Sequence, residues 1–486
     1  MFIISAVFLI SMGQGSHIRI FRNYVHTPYV LMAVAEFAIV IACVFFAVQT
    51  GIWRLPTANA SVPATSLVYG LIVIFSMISM GVYESRIREG FSGQILRTAV
   101  AIFLISAMGI AIVAYFVPAV TLGRGVLTIV TFFAFFSINA FRWLIISVTD
   151  KDSLKKRVVI LGTGNQAQKV SLRMRRDYDR RGFVLVGFAG LNRSDNLLDN
   201  QQSVYQIEGT ILEFCRQKNI DEIVVALDER RRNQDAGGGL PLDELFECRL
   251  QGINVCDIQG FIEREAGKLD IELLRPSWMV FSDGFIHNTL RAQTKRAFDI
   301  MASLLLLAFA WPIMLITGLF LWTGGGFKEP VFYRQARVGR NGINFDLFKF
   351  RSMRMDAEKD GIVQWAAEND PRITRIGNFL RRTRIDELPQ ILNILKGDMS
   401  FVGPRPERPE FVSRLTEEIE YYKHRHHLKP GLTGWAQLCY PYGASIEDTR
   451  EKLQYDLYYI KNQNLLLDLI ILLQTVQIVL IGEGVR

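Results

Sequence analysis

Cysteine is scarce and scattered. The chain has five in 486 residues (Cys43, Cys215, Cys248, Cys256 and Cys439), with no CxxC pair. That excludes a disulfide framework and a cysteine zinc site, and it fits a reducing compartment. Histidine is nearly as rare. His424, His426 and His427 crowd into YYKHRHH, but their spacing matches no zinc motif and no further ligand pattern accompanies them. Charge is sparse too, at 21% of residues against 50% apolar, and the mean hydropathy is +0.20. The apolar content must therefore be concentrated, as in a membrane protein with soluble parts. The formal net charge of +8 suits anionic headgroups or phosphorylated substrates. No basic helix or aromatic-interleaved strand supports nucleic acid as the partner. A chain this long exceeds one core, so two or three domains are expected.

Long apolar runs are what the sequence does have. Four stand before residue 150, at about Pro28–Gln49, Thr65–Tyr83, Thr98–Val117 and Val126–Val148. Each is close to the ~20 residues that cross a bilayer as a helix. Positive charge alternates between the connections. Arg19 and Arg22 precede the first run and Arg54 follows it; Arg86, Arg88 and Arg97 follow the second; Arg124 follows the third; Lys151, Lys155, Lys156 and Arg157 follow the fourth. The positive-inside rule then puts both ends of a four-helix unit, 28–150, in the cytoplasm. The opening MFIISAVFLISM is too short to span and lacks a basic n-region and a cleavage site, so residues 1–27 read as an extension rather than a signal peptide.

From 151 to 290 the texture is strand–turn–helix. RVVILGTGNQAQKV runs a buried strand into Gly162–Ala167, the GxGxxA form of the dinucleotide fingerprint, and FVLVGFAG, EIVVALD and INVCDI follow as further short apolar runs. That alternation predicts a parallel, Rossmann-like sheet with crossover helices. A working dinucleotide site also wants a carboxylate ~20 residues on, for the ribose hydroxyls. Phe188-Ala189-Gly190-Leu191 stands there instead, so a structural or regulatory domain is expected more than a nucleotide-binding one. The stretch 229–241, ERRRNQDAGGGLP, reads as a surface loop.

Lys295 and Arg296 open another apolar run, about 295–325, broken by Pro312 and followed by Lys328, Arg334, Arg337 and Arg340. Basic residues at both ends and a helix-kinking proline argue for a re-entrant helix over a fifth straight span. Downstream, Asp386-Glu387 lies in TRIDELPQILNILKGDMSFVGPRPE, among arginines and ahead of an apolar helix. An aspartate there can act as a nucleophile on a phosphate once arginines and a divalent cation neutralise the repulsion. Glu387 can hold the metal or move a proton. The plain alternative is a capping box, Thr383 with Asp386 three residues on.

The ordered motifs KRAFDI, KFRSMRMDAE, DPRITRIGNFLRRTRIDELPQ, GPRPE and KPGLTGWAQ resemble the bacterial monotopic phosphoglycosyl transferases, or polyprenyl-phosphate sugar-phosphate transferases, over about 290–486. The four spans and degenerate Rossmann-like domain resemble the large members that initiate exopolysaccharide or O-antigen synthesis. The resemblance implies a membrane α plus α/β protein, with a mostly helical monotopic catalytic domain at 291–486. The implied reaction transfers hexose 1-phosphate from a UDP-sugar to undecaprenyl phosphate, with magnesium, at the cytoplasmic face of the inner membrane. Asp386 would be the nucleophile and, with Glu387, would hold the metal. Arg381, Arg382, Arg372, Arg375, Arg405, Lys349 and Arg351 would contact substrate phosphates, while Pro404 and Pro406 belong to the active-site Pro-Arg-Pro. Lys295, Arg296 and Pro312 mark the re-entrant helix, in which Trp311 replaces the family's usual serine. A homodimer fits the resemblance. The rivals are an NAD-dependent nucleotide-sugar oxidoreductase centred on Gly162–Ala167 and a non-catalytic assembly scaffold.

Overall fold

A computed structural model describes residues 17–20, 23–49, 61–83, 91–117, 123–148, 155–173, 183–190, 203–228, 240–274, 276–282, 284–285, 289–324, 329–354, 371–440, 443 and 445–481. Residues 1–16, the connections carrying Arg54, Arg86, Arg88 and Lys151, most of the loop 229–241 and the end of KFRSMRMDAE lie outside them. The chain divides into two compact units, Met1–Ala266 and Gly267–Arg486.

The first unit begins with β1 (His17–Ile20) paired antiparallel with β2 (Asn23–His26). The apolar helices follow: α1 (Thr27–Gln49), α2 (Val62–Ser79), α3 (Phe91–Ala99), which runs through a π-helical stretch, Val100–Ser106, into α4 (Ala107–Phe116), and α5 (Arg124–Val148). Four stretches here, Tyr29–Gln49, Val62–Ser79, Gly93–Phe116 and Gly125–Ile145, are long and apolar enough to cross a membrane. Val40, Val44, Val73, Met77, Ile102, Val130 and Ile138 form their common core. One charge pair lies inside it. Glu36 of α1 and Arg142 of α5 are both buried, with Arg142 Nη2 2.8 Å from Glu36 Oε2. Thr98 Oγ1 accepts from Arg142 Nη1 (2.8 Å), and Tyr83 donates to Glu36. Full pairing is what makes such charges tolerable away from water.

The same unit contains the parallel sheet: β3 (Lys156–Leu161), β4 (Phe183–Gly190), β5 (Val204–Gln206), β6 (Glu222–Val225) and β7 (Asn254–Asp257), in the order β5-β4-β3-β6-β7. Helices α6 (Asn165–Arg173), α7 (Ile211–Gln217), α8 (Leu242–Leu250) and α9 (Ile258–Ala266) follow β3, β5, β6 and β7 in turn, close to the alternation the sequence predicts; among the described residues no helix lies between β4 and β5. Val159, Leu161, Ile223 and Val225 bury the sheet on the side of α7 and α8. Gly162 ends β3 at φ +135°, where a Cβ would collide with the Ala226 carbonyl, so only glycine fits there.

The second unit packs α10 (Pro276–Phe281), α11 (Thr289–Gly324), the hairpin β8 (Phe332–Val338) and β9 (Asn344–Phe350), α12 (Arg375–Arg382), α13 (Gln390–Lys396), β10 (Ser400–Val402), α14 (Pro409–Glu418), β11 (Gly431–Thr433), α15 (Trp435–Cys439), α16 (Ile446–Asn462) and α17 (Leu465–Ile481). Met399, Phe401, Leu415, Tyr422, Leu457 and Ile471 are among its core residues. Leu269, Ile271 and Leu274 join this core, although the boundary read from the sequence places them with the preceding domain.

Among the described residues, helix α11 is the fifth segment long and apolar enough to cross a membrane. It is assigned as one unbroken helix through Pro312, about 54 Å long at 1.5 Å per residue. Asp299, Ser303, Ala310, Thr317 and Leu321 form its buried stripe, while Leu305, Phe309, Trp311, Ile316 and Phe320 are exposed. Both ends are fixed to the second unit. At the start, Lys295 Nζ meets Asp468 Oδ2 (2.7 Å), Arg296 Nη2 donates to the Leu395 carbonyl (2.6 Å), and Asp299 accepts from Ser400 Oγ (3.0 Å) and Phe401 N (3.1 Å). At the other end Leu321 packs with Phe350 and Leu380.

Candidate active site

The acidic pair lies on a short bend between two helices. Helix α12 ends at Arg382; Arg384 then takes a left-handed conformation (φ +58°) and starts a single 3₁₀ turn, Ile385–Glu387. A left-handed arginine costs about 1–2 kcal/mol, so surrounding contacts must hold it. Pro389 then leads into α13. Thr383 does not cap this turn: its hydroxyl donates back to the Phe379 carbonyl (2.9 Å), and the turn has no side-chain cap. The capping-box alternative therefore fails. Backbone reversal at Arg384 leaves Thr383 bonded to the helix behind it.

Asp386 is buried, 5% exposed, and among the described residues nothing donates a hydrogen bond to its carboxylate. Glu387 sits beneath three cations. Its Oε1 is 3.2 Å from Lys349 Nζ, and 3.7 Å from both Arg384 Nη1 and Arg405 Nη2. Lys349 arrives on β9 because Asn393, wholly buried in α13, clamps that strand. Its Oδ1 accepts from Phe348 N (3.0 Å) and its Nδ2 donates to the Asp346 carbonyl (2.7 Å). Arg405 is positioned through its own backbone: Arg425 Nη2 donates to its carbonyl (3.0 Å), with Arg425 paired to buried Asp456 at 2.8 Å. Next door, Arg337 Nη1 donates to the Pro406 carbonyl (3.0 Å), and Gly431 N donates to the Pro404 carbonyl (2.9 Å). A Cβ on Gly403 would collide with the Lys429 carbonyl, so the Gly-Pro-Arg-Pro turn needs its glycine. Arg337, Lys349, Glu387, Gln390, Arg405 and Pro406 line one small pocket.

The electrostatics divide the two carboxylates. Burial pushes Asp386 above the usual aspartate range; Lys349 opposes this, and the neighbouring Glu387 charge adds to the rise. Burial alone would raise Glu387 as well, but Lys349, Arg405 and Arg384 outweigh it and bring its pKa down to about 2. Lys349 lies below the ordinary lysine value, mainly through burial, with Glu387 pulling back the other way. Glu387 is thus a fixed anion bound to cations, whereas Asp386 carries a poorly solvated carboxylate that accepts no hydrogen bond among the described residues.

Of the residues picked out by sequence, Asp386, Glu387, Lys349, Arg405 and Pro406 come together. Arg381 is close, donating from Nε to Ser352 Oγ (3.0 Å), and its charge bears on Asp386. Others go elsewhere. Arg351 secures the end of α11, pairing with Glu329 (2.6 Å) and donating to the Leu321 carbonyl (3.3 Å). The Arg372 carbonyl accepts from Arg354 N, while Arg375 and Arg382 stand exposed on one face of α12 with Phe379. Arg384, Arg337 and Asn393 were not singled out for the site. Arg384 is the arginine of TRIDELPQ, and Asn393 is the polar interruption in ILNIL.

For a divalent cation, the described residues offer no cluster of three or more His, Cys, Asp or Glu. The two carboxylates still fit magnesium, which takes one or two carboxylates and fills its octahedron with water and substrate phosphates.

The matching family model, described as bacterial sugar transferase, covers residues 290–482. A putative undecaprenyl-phosphate N-acetylgalactosaminyl 1-phosphate transferase of Bacillus subtilis is 52% identical over 133 residues, 27% of this chain and 72% of that relative. The chain belongs to the bacterial sugar transferase family. Among longer relatives, the UDP-N-acetylgalactosamine-undecaprenyl-phosphate N-acetylgalactosaminephosphotransferase of Aeromonas hydrophila is 39% identical over 242 residues, 50% of this chain and 56% of that protein. The UDP-glucose:undecaprenyl-phosphate glucose-1-phosphate transferase of Xanthomonas campestris is 43% identical over 181 residues, 36% of this chain and 37% of the relative. The chain thus spans only about a third to just over half of these two relatives. A second family model, described as a CoA-binding domain, matches residues 79–234. The acidic pair and its cations lie wholly within the 290–482 match, and the Gly162 turn within the other.

Proposed function

We propose that this sugar transferase moves a hexose 1-phosphate from a UDP-sugar to undecaprenyl phosphate at the cytoplasmic face of a bacterial inner membrane, initiating exopolysaccharide or O-antigen synthesis. The observation that carries the reading is the Asp386 carboxylate, buried, without a hydrogen-bond donor among the described residues and beside a cation-bound Glu387, in a chain whose relatives are named for this chemistry. An Asp386 oxygen attacks the β-phosphorus of the donor. The bond from that phosphorus to the bridging oxygen breaks, UMP leaves, and the phosphosugar stays on Asp386. A phosphate oxygen of undecaprenyl phosphate then attacks the same phosphorus, freeing Asp386 and forming the lipid diphosphate sugar. Asp386 and Glu387 would hold magnesium, which when bound offsets the diphosphate charge. Lys349, Arg405, Arg337 and Arg381 supply fixed positive charge for the donor phosphates.

Helix α11 is read as entering and leaving one face of the bilayer. Its two ends bind the same unit, and a straight crossing would put that unit on both sides of the membrane. The greasy exposed face lies to lipid, and the four spans of the first unit add an integral anchor. The relatives' names carry glucose and N-acetylgalactosamine alike, so the sugar is left as a hexose.

The test is UMP release by detergent-solubilised protein given UDP-glucose, UDP-galactose or UDP-N-acetylgalactosamine, magnesium and undecaprenyl phosphate. Mass spectrometry of protein quenched without acceptor should find a phosphosugar on the peptide holding Asp386. No UMP from any of the donors, or undiminished release by Asp386→Asn, would sink the reading.

A further inference from the structure

The dinucleotide turn in the sheet domain has an occupant of its own. Gly162–Ala167 joins β3 to α6, and a bound pyrophosphate at such a turn would take the free amides at the helix N-terminus. Here two of those amides are already used. Asn165 N donates to Asp228 Oδ2 (2.7 Å) and Gln166 N to Asp228 Oδ1 (2.8 Å), so the two oxygens of one carboxylate span the start of the helix. Gly164 faces the same group: a Cβ there would collide with the Asp228 carboxylate. Asp228 is carried in by the neighbouring strand β6, whose continuation is fixed when Ala226 N donates to the Leu161 carbonyl (2.9 Å). The described residues at the ribose end of such a site offer no carboxylate either. Phe188 and Ala189, at the place of the ribose-binding carboxylate, are each 1% exposed in β4.

We propose that Asp228 is a built-in anion that occupies the phosphate position of the Gly162–Ala167 turn and closes it to nucleotide or CoA phosphates. A carboxylate on two backbone amides satisfies the helix dipole as a phosphate would, and a diphosphate cannot share the place without like-charge repulsion. The domain therefore keeps the shape of a nucleotide-binding fold while its phosphate cradle is filled from within.

Hydrogen–deuterium exchange on the full-length, detergent-solubilised protein reads this site without reference to sugar transfer. In the wild type, peptides covering 161–173 should exchange slowly, with no change on adding inorganic pyrophosphate, CoA or NAD. In Asp228→Ala the same peptides should exchange at least about tenfold faster, because charge-assisted hydrogen bonds are lost, and pyrophosphate should restore protection. Asp228→Asn keeps the shape but not the charge, and carries the test if the alanine variant misfolds. Protection of 161–173 by CoA, NAD or pyrophosphate in the wild type would overturn the proposal. So would a folded Asp228 variant that gains nothing from pyrophosphate.

Discussion

Replacing Lys349 by methionine removes the charge nearest Glu387 while keeping the length of the side chain. Glu387, 14% exposed, falls from an ordinary 4.5 to about 2 in the fold. That depression corresponds to about 3 kcal/mol at 1.36 kcal/mol per unit. Lys349 is the largest favourable contributor, ahead of Arg405 and Arg384, so its loss should remove about 1–2 kcal/mol of that stabilisation. The contribution has a defined sign. A depressed carboxylate stabilises the fold above its unfolded pKa, and that stability is lost as pH falls from about 4.5 towards 2, so the variant should lose less in this window than the wild type. Catalysis should suffer more, because Lys349 also opposes the rise of Asp386 and, in the proposed reaction, supplies positive charge for the donor. Loss of one such preorganised group typically costs about a hundredfold. Because the Asp386 pKa then climbs further, the acid limb of the UMP-release profile should move to higher pH. The alkaline limb of the wild type, where Lys349 loses its proton below the ordinary lysine value, should disappear. Lys349→Arg should recover part of the rate. A methionine variant within about threefold of wild type, with an unmoved acid limb, would refute the electrostatic argument.

Asn393→Leu should lower the apparent unfolding temperature, since it strands the Phe348 amide and the Asp346 carbonyl at a cost of about 2–4 kcal/mol; UMP release should fall with it as Lys349 drifts from Glu387. Gly403→Ala should abolish transfer, because its Cβ would meet the Lys429 carbonyl, while thermal scans would still show the first unit folding. In the membrane part, Arg142→Leu leaves Glu36 buried without its cation, with only the Tyr83 hydroxyl, among the described residues, still donating to it. Expression and detergent melting should report about 3–5 kcal/mol of destabilisation, relieved by the double change Glu36→Gln with Arg142→Leu.

Local pattern carried far where chemistry and neighbours coincide in sequence. The acidic pair, the arginines before it and the Pro-Arg-Pro after it were legible because they sit within one short stretch. The four apolar runs and the strand–helix alternation were legible because burial in lipid or between helix layers imposes a run length or period on the chain itself. What sequence left open were groups that meet only through folding. Arg384 acts through a left-handed turn that no composition announces, and Asn393 matters only because β9 passes beside α13. Arg351 resembled its neighbour Lys349 in charge, and two residues apart on one strand they would share a face, but β9 ends at Phe350 and the two meet different partners, Glu329 and Glu387.

Sequence alone therefore determined the family, the long apolar runs and the acidic pair proposed to react, because each depends on residue type and spacing along the chain. Tertiary structure decided which cations hold Glu387, that Thr383 does not cap the turn, that both ends of the Pro312 helix bind one unit, and that Asp228 fills the dinucleotide turn. Each of these is a meeting of residues distant in sequence or a reversal of the backbone. Their energies come from burial and short charge separations, which exist only once the elements have packed.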